Sequence, residues 1–227
     1  MQGILEIIFD VAFLGVVFTL AYLLLKNKGD FTIHSLFSAM ALVLGIGDSF
    51  YIITKMLIFF SGTPNRYTAL LGMGKLLVSI AITIFFLLLY MIYKLQYSVN
   101  NQKLTEILFY LFGVVRIILC LMPQNQWAIA NPPVMWNLYR NVPFFAIGII
   151  LIILFVKEIN IKKDRDFIFM PIAILLSFLF YIPVIVWQDS SVLIRGFIML
   201  TSLNYLWIIW MGYSDLRRSL LDKKIMI

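Results

Sequence analysis

The stretch Gly45-Ile46-Gly47-Asp48-Ser49-Phe50-Tyr51-Ile52-Ile53-Thr54-Lys55 lies inside an apolar segment, residues 32–60, long enough to cross a bilayer. It carries a carboxylate and an ammonium seven residues apart. Seven helical steps of about 100° return to nearly the same face, about 10 Å further along the axis. Ionisable groups at membrane depth are costly and turn toward a bundle interior or a wet cavity. This stretch therefore predicts a membrane helix with one polar face directed at its neighbours.

The surrounding chain agrees. Of 227 residues, 63% are hydrophobic and only 13% charged, more apolar surface than a soluble domain can hide. Seven apolar segments reach spanning length, at 4–25, 32–60, 69–93, 104–122, 138–156, 167–187 and 192–213. They are continuously apolar, without the alternation of a membrane barrel. The expected fold is all-α: a single seven-transmembrane-helix bundle over 1–227, ending in a short basic tail, 214–227. Glu6 and Asp10, with no basic residues before them, make the first segment a mature helix rather than a cleaved leader. Pro171 and Pro183 predict a kink in the sixth helix.

Basic residues fix the expected orientation. Lys26, Lys28, Lys94, Lys103, Lys157, Lys162, Lys163, Arg165, Arg217, Arg218, Lys223 and Lys224 all fall on one side. The positive-inside rule then places the N-terminus outside, the C-terminus in the cytoplasm and the chain in the plasma membrane. The net charge of +7 is accounted for by these loops and by contact with anionic lipid headgroups, so no nucleic-acid partner is expected. The tail reads as an amphipathic helix on the inner surface. The loop from Pro123 to Asn137 is polar but uncharged, with Trp127 and Trp136. It should lie at the headgroup level or dip over the bundle mouth as a lid.

With orientation set, depth follows. Glu6, Asp10, Asp48, Lys55, Lys75, Arg116, Arg140 and Arg195 all fall in the outer half, five basic and three acidic. Lipid-facing charges would each cost about 2.5–3.5 kcal/mol. Grouping them around a shared outward-facing pocket removes much of that cost. The expected site comprises Asp48, Tyr51, Lys55, Lys75, Ser79, Arg116, Arg140, Arg195 and Asn204, walled by aromatics such as Trp127, Tyr181 and Tyr205. Its cationic excess suits a small anionic or zwitterionic solute, or a lipid headgroup, because an arginine fork matches carboxylate or phosphate. Asp48, Lys75 and Arg116 should be deepest, with Arg140 and Arg195 snorkelling outward. Salt bridges that merely hold the bundle together, Asp48 with Lys75 or Asp10 with Arg195, are the competing reading.

Other chemistries lack their residues. One cysteine, Cys120, and one histidine, His34, cannot make a Cys/His metal site, and no cofactor is implied. A retinal protein would need a lysine in mid-seventh helix, and none is there. Binding or transport of a small solute is the leading function. A membrane sensor signalling through its cytoplasmic face, and an intramembrane lipid-modifying enzyme using Asp48 and Lys75, are the alternatives.

Gly47-Asp48-Ser49-Phe50, Met73-Gly74-Lys75, Arg116 with Leu119-Cys120, Pro123-Gln124-Asn125-Gln126-Trp127 and Arg140-Asn141-Val142-Pro143-Phe144 together resemble an uncharacterised family of seven-helix proteins from low-GC Gram-positive bacteria. In that family a histidine often follows the position of Phe50, where this chain has Tyr51. The resemblance implies that Asp48, Lys75, Arg116 and Arg140 belong to one constellation; it implies no activity.

Overall fold

The structure, a computed structural model, describes residues 2–26, 33–99, 102–130, 132–187 and 192–225. Lys28, Thr32 and Asn131 of the sequence reading lie outside the described residues, as do the side chains of Lys223 and Lys224. Among the described residues every regular element is helical. The helices are α1 (Gln2–Lys26), α2 (Ile33–Ser61), α3 (Thr68–Tyr97), α4 (Lys103–Leu121), α5 (Val134–Lys162), α6 (Met170–Val186) and α7 (Val192–Ile225). Six are long and apolar enough to cross a membrane; α6 is apolar but shorter.

The helices pack in chain order, and α7 closes back onto α1 and α2. α3 sits centrally, touching α2, α4 and α5. Small residues permit this closeness, as is usual where lipid supplies no hydrophobic drive between helices. Where α2 crosses α3, a Cβ on Gly47 would stand 2.4 Å from the Cβ of Ala81.

An aromatic layer fills the middle of the bundle. Phe86 of α3 meets Phe144 of α5 at 5.2 Å, Phe178 of α6 at 5.4 Å and Tyr205 of α7 at 6.0 Å between ring centroids. Such edge and tilted contacts add about 0.5–1.5 kcal/mol per pair to simple burial.

Polar groups gather at the two ends of this layer. The end carrying the α1 C-terminus holds Lys94–Glu106 at 2.6 Å, His34–Asp215 at 2.9 Å and Arg218–Asp166. There, Tyr97 donates its hydroxyl to Asp164 and Lys162 donates to the Tyr97 carbonyl. Lys26, Lys94, Lys103, Lys157, Lys162, Lys163 and Arg165 lie at this end.

Three expectations need correction. The tail is no separate surface helix: α7 continues to Ile225, with Leu216 buried and Asp215 tied to His34. α6 starts at Met170, so Pro171 occupies its first turn, where the missing N–H costs nothing. Only Pro183 lies in its interior. α5 is longer than the apolar run implied, because helical backbone extends through Arg140 to Val134 at one end and to Lys162 at the other.

Candidate functional site

The opposite end of the bundle, with the N-termini of α1, α3, α5 and α7 and the C-termini of α2, α4 and α6, gathers the remaining charges into two groups. The first joins α1, α2 and α7. Lys55 Nζ lies 2.6 Å from Asp10 Oδ2 and 3.8 Å from Glu6 Oε2. Arg195 Nε lies 2.8 Å from Glu6 Oε1, a close charge pair without hydrogen-bond alignment. Lys55 also stands 5.7 Å from the Tyr51 ring, and Asp48 lies within electrostatic range of Asp10 and Lys55. Opposite charges nearly balance here, and the arrangement is self-sufficient.

The second group is built from α4, α5 and the loop between them, and it is cationic throughout. Arg116 of α4 is 1% exposed. Its guanidinium carbon stacks 3.2 Å from the Phe144 ring centroid, and the side chain lies within electrostatic range of Cys120 one turn on. Nε and Nη1 of Arg116 have no hydrogen-bond partner. Arg140 of α5 is also buried and donates from Nη1 to Asn125 Oδ1 at 2.9 Å. Its guanidinium lies 4.2 Å from the Trp127 ring centroid. Lys75 of α3 is within electrostatic range of Arg140. Among the described residues no carboxylate forms an ion pair with Arg116, Arg140 or Lys75.

The loop after α4 makes the roof. Pro123–Asn125 form a single 3-10 turn, and Gln126 adopts a left-handed backbone that aims Trp127 back at the bundle. Asn125 is fully buried; its Nδ2 donates to the carbonyls of Leu119 and Met122, capping the end of α4. Trp127 Nε1 donates to the Cys120 carbonyl at 2.9 Å. Below it, α3 presents Gly72, where a Cβ would meet the Trp127 carbonyl oxygen at 1.6 Å. Only glycine admits the loop at this depth. Of the two placements expected for this loop, the inward dip describes Pro123–Trp127.

Tyr205 of α7 lies within electrostatic range of Asp48, Arg116 and Tyr181, so it stands between the two groups. Tyr181 of α6 is in turn in range of both arginines. The anticipated residues thus share one end of the bundle but not one pocket. Lys55 and Arg195 are occupied by Glu6 and Asp10, and neither anticipated pair, Asp48–Lys75 or Asp10–Arg195, forms an ion pair. Ser79 and Asn204 donate to carbonyls one turn back in their own helices, Lys75 at 2.8 Å and Leu200 at 2.8 Å. Burial differs too: Lys75 is exposed on the surface of α3, whereas Arg140 is buried under the roof. Helix rotation, which apolar length does not encode, decides both.

Three contributors, Asn125, Cys120 and Phe144, were not among the expected site residues, although each falls in a segment that carries the family resemblance. Phe144 was recoverable, because it follows Arg140 by four residues and shares its face. Asn125 stood in the quoted phrase Pro123-Gln124-Asn125-Gln126-Trp127, in a polar, uncharged loop, with nothing to single it out from its neighbours.

No protein-family model, curated protein or solved structure matches this chain.

Proposed function

We propose that this is a seven-span plasma-membrane protein, N-terminus outside, whose outer end binds an anionic group between Arg116 and Arg140 with Lys75 at the margin. One observation carries the reading: a guanidinium buried to 99%, with two nitrogens unpartnered and no carboxylate paired to it. Burying a charge without a counter-charge costs several kcal/mol. Stacking on Phe144 returns about 2 kcal/mol. Water would satisfy the free N–H groups but leave the charge. A carboxylate, phosphate or sulfate does both, and two guanidinium forks suit its oxygens.

The aromatic layer favours binding over conduction. Phe86, Phe144, Phe178 and Tyr205 close the bundle directly beneath the arginines. The hydroxyls of Ser79, Thr83 and Ser202, which would line an inward path, are turned onto their own helices. The basic loops at the other end support the cytoplasmic placement of that end. Resemblance to the seven-helix family of low-GC Gram-positive bacteria supports a bacterial membrane and adds no activity.

The test is the melting temperature of purified protein in uncharged detergent, titrated with phosphate, sulfate or small carboxylates at constant ionic strength. A bound anion stabilises the folded state by about 2.7 kcal/mol at a hundredfold excess over its dissociation constant. The response should disappear in Arg116→Gln. Equal responses in wild type and variant would show that the anions act through bulk salt.

A further inference from the structure

We infer that the anion held by Arg116 and Arg140 is the phosphate of an anionic phospholipid, with an acyl chain seated in the groove between α5 and α6. The inference rests on reading the two arginines as an anion site and adds which molecule brings the anion.

The groove opens on the apolar outer surface of the bundle. Its walls are Phe145, Ile149 and Ile152 of α5 and Leu175, Leu179 and Ile182 of α6. It extends over two helical turns, about 10 Å. Gly148 leaves its floor free for the Phe178 ring, whose Cε2 would stand 2.2 Å from a Cβ at that position. That ring continues to the arginines. Phe178 packs on Phe144 at 4.7 Å between centroids, and Phe144 carries the Arg116 guanidinium on its face. Arg140 stands five residues, about 7 Å, beyond the groove's outer wall at Phe145. The groove and the arginines thus lie on either side of the packed Phe144 and Phe178 rings, at a spacing along α5 that one lipid molecule spans.

Two further features point to a lipid rather than a soluble anion. Tyr139 and Trp187, both exposed, stand with Trp136 at the outer ends of α5 and α6, where aromatic residues mark the headgroup level. The roof of Asn125 and Trp127 covers the arginines from above. An anion from the water phase enters past that roof, whereas a lipid reaches the bundle from the side along α5 and α6, where the Phe144 and Phe178 rings stand.

The experiment measures lipid retained by the full chain in native mass spectrometry from micelles doped with phosphatidylglycerol or phosphatidylcholine. In parallel, the melting response to inorganic phosphate is recorded. Phosphatidylglycerol should be retained in preference by about tenfold, and Arg140→Gln should remove the preference. Ile149→Trp and Leu179→Trp fill the groove from its exposed side. They should reduce phosphatidylglycerol retention about fivefold or more, for loss of chain burial. Their response to inorganic phosphate should match wild type. If the two lipids are retained equally, or the groove variants retain phosphatidylglycerol like wild type, the lipid assignment is overturned while the anion site stands on the phosphate response. If neither phosphate nor phosphatidylglycerol has an effect, both readings fall. Should Arg140→Gln fail to fold, the two groove variants, on exposed surface, decide the matter alone.

Discussion

Replacing Gly72 with alanine tests the roof most sharply. The added methyl would stand 1.6 Å from the Trp127 carbonyl oxygen and 2.4 Å from its carbonyl carbon. Both are backbone atoms, so no side-chain rotation relieves the contact. Reaching ordinary separation requires the loop to retreat by about 2 Å. That retreat breaks the 2.9 Å bond from Trp127 Nε1 to the Cys120 carbonyl and lifts the indole from Arg140. Overpacking costs about 1–3 kcal/mol, and a lost buried hydrogen bond about 1–3 kcal/mol more. We expect about 3–5 kcal/mol in total, a drop of roughly 10 °C in melting temperature for a chain of this size. Gly15→Ala is the internal control. Gly15 lies mid-α1 with nothing within 4 Å of an added Cβ, so this change should be neutral or stabilising by up to about 0.8 kcal/mol. Unfolding followed by tryptophan fluorescence reads both, with Trp127 among the reporters. If Gly72→Ala melts within a degree or two of Gly15→Ala, the loop is not seated on α3 and the account of the roof is wrong.

Other consequences follow from the same geometry. Asn125→Asp places a carboxylate against Arg140 but removes the Nδ2 donor that caps α4; the protein should melt at lower temperature and lose most of its response to phosphate, and a full response would show that Arg140 takes no part in anion binding. Lys55→Met leaves Glu6 and Asp10 facing each other in a partly exposed setting, so it should cost about 1–2 kcal/mol. Adding Asp10→Asn should recover part of that, and strict additivity in the double-mutant cycle would show the pair to be uncoupled. Phe86→Ala opens the aromatic layer and should cost about 3–5 kcal/mol in an unfolding titration. In a Cys120→Ser background, cysteine at Asn65 should label with a membrane-impermeant maleimide on intact cells and cysteine at Lys163 should not; the reverse pattern would invert the orientation.

The fold was legible because apolar length is a one-dimensional signal. Each helix appears as a run of residues, and the alternating sides of the loops fix which ends lie together. That sufficed to bring Glu6, Asp10, Lys55, Arg116, Arg140 and Arg195 to one end. Pairing was not legible, because it depends on how each helix turns about its axis. Contacts such as Gly47 on Ala81 and Gly72 on Trp127 set those rotations, and a glycine does not announce its partner. Thus Arg195 reaches Glu6 rather than Asp10, and Lys75 faces outward while Arg140 is covered. Helix ends were missed where polar sequence continues a helix, as in α7 beyond Asp215, since hydropathy fades before backbone hydrogen bonding does.

The proposed occupant of the buried Arg116 and Arg140 is an anion. The most direct test is an experimental density map of the protein in a membrane mimetic containing phosphatidylglycerol and phosphate. Density for a tetrahedral group is expected within about 3 Å of Nε and Nη1 of Arg116, reached also by Arg140. A map in which those two nitrogens bond to a protein carboxylate or carbonyl, with no density between the arginines, would contradict it.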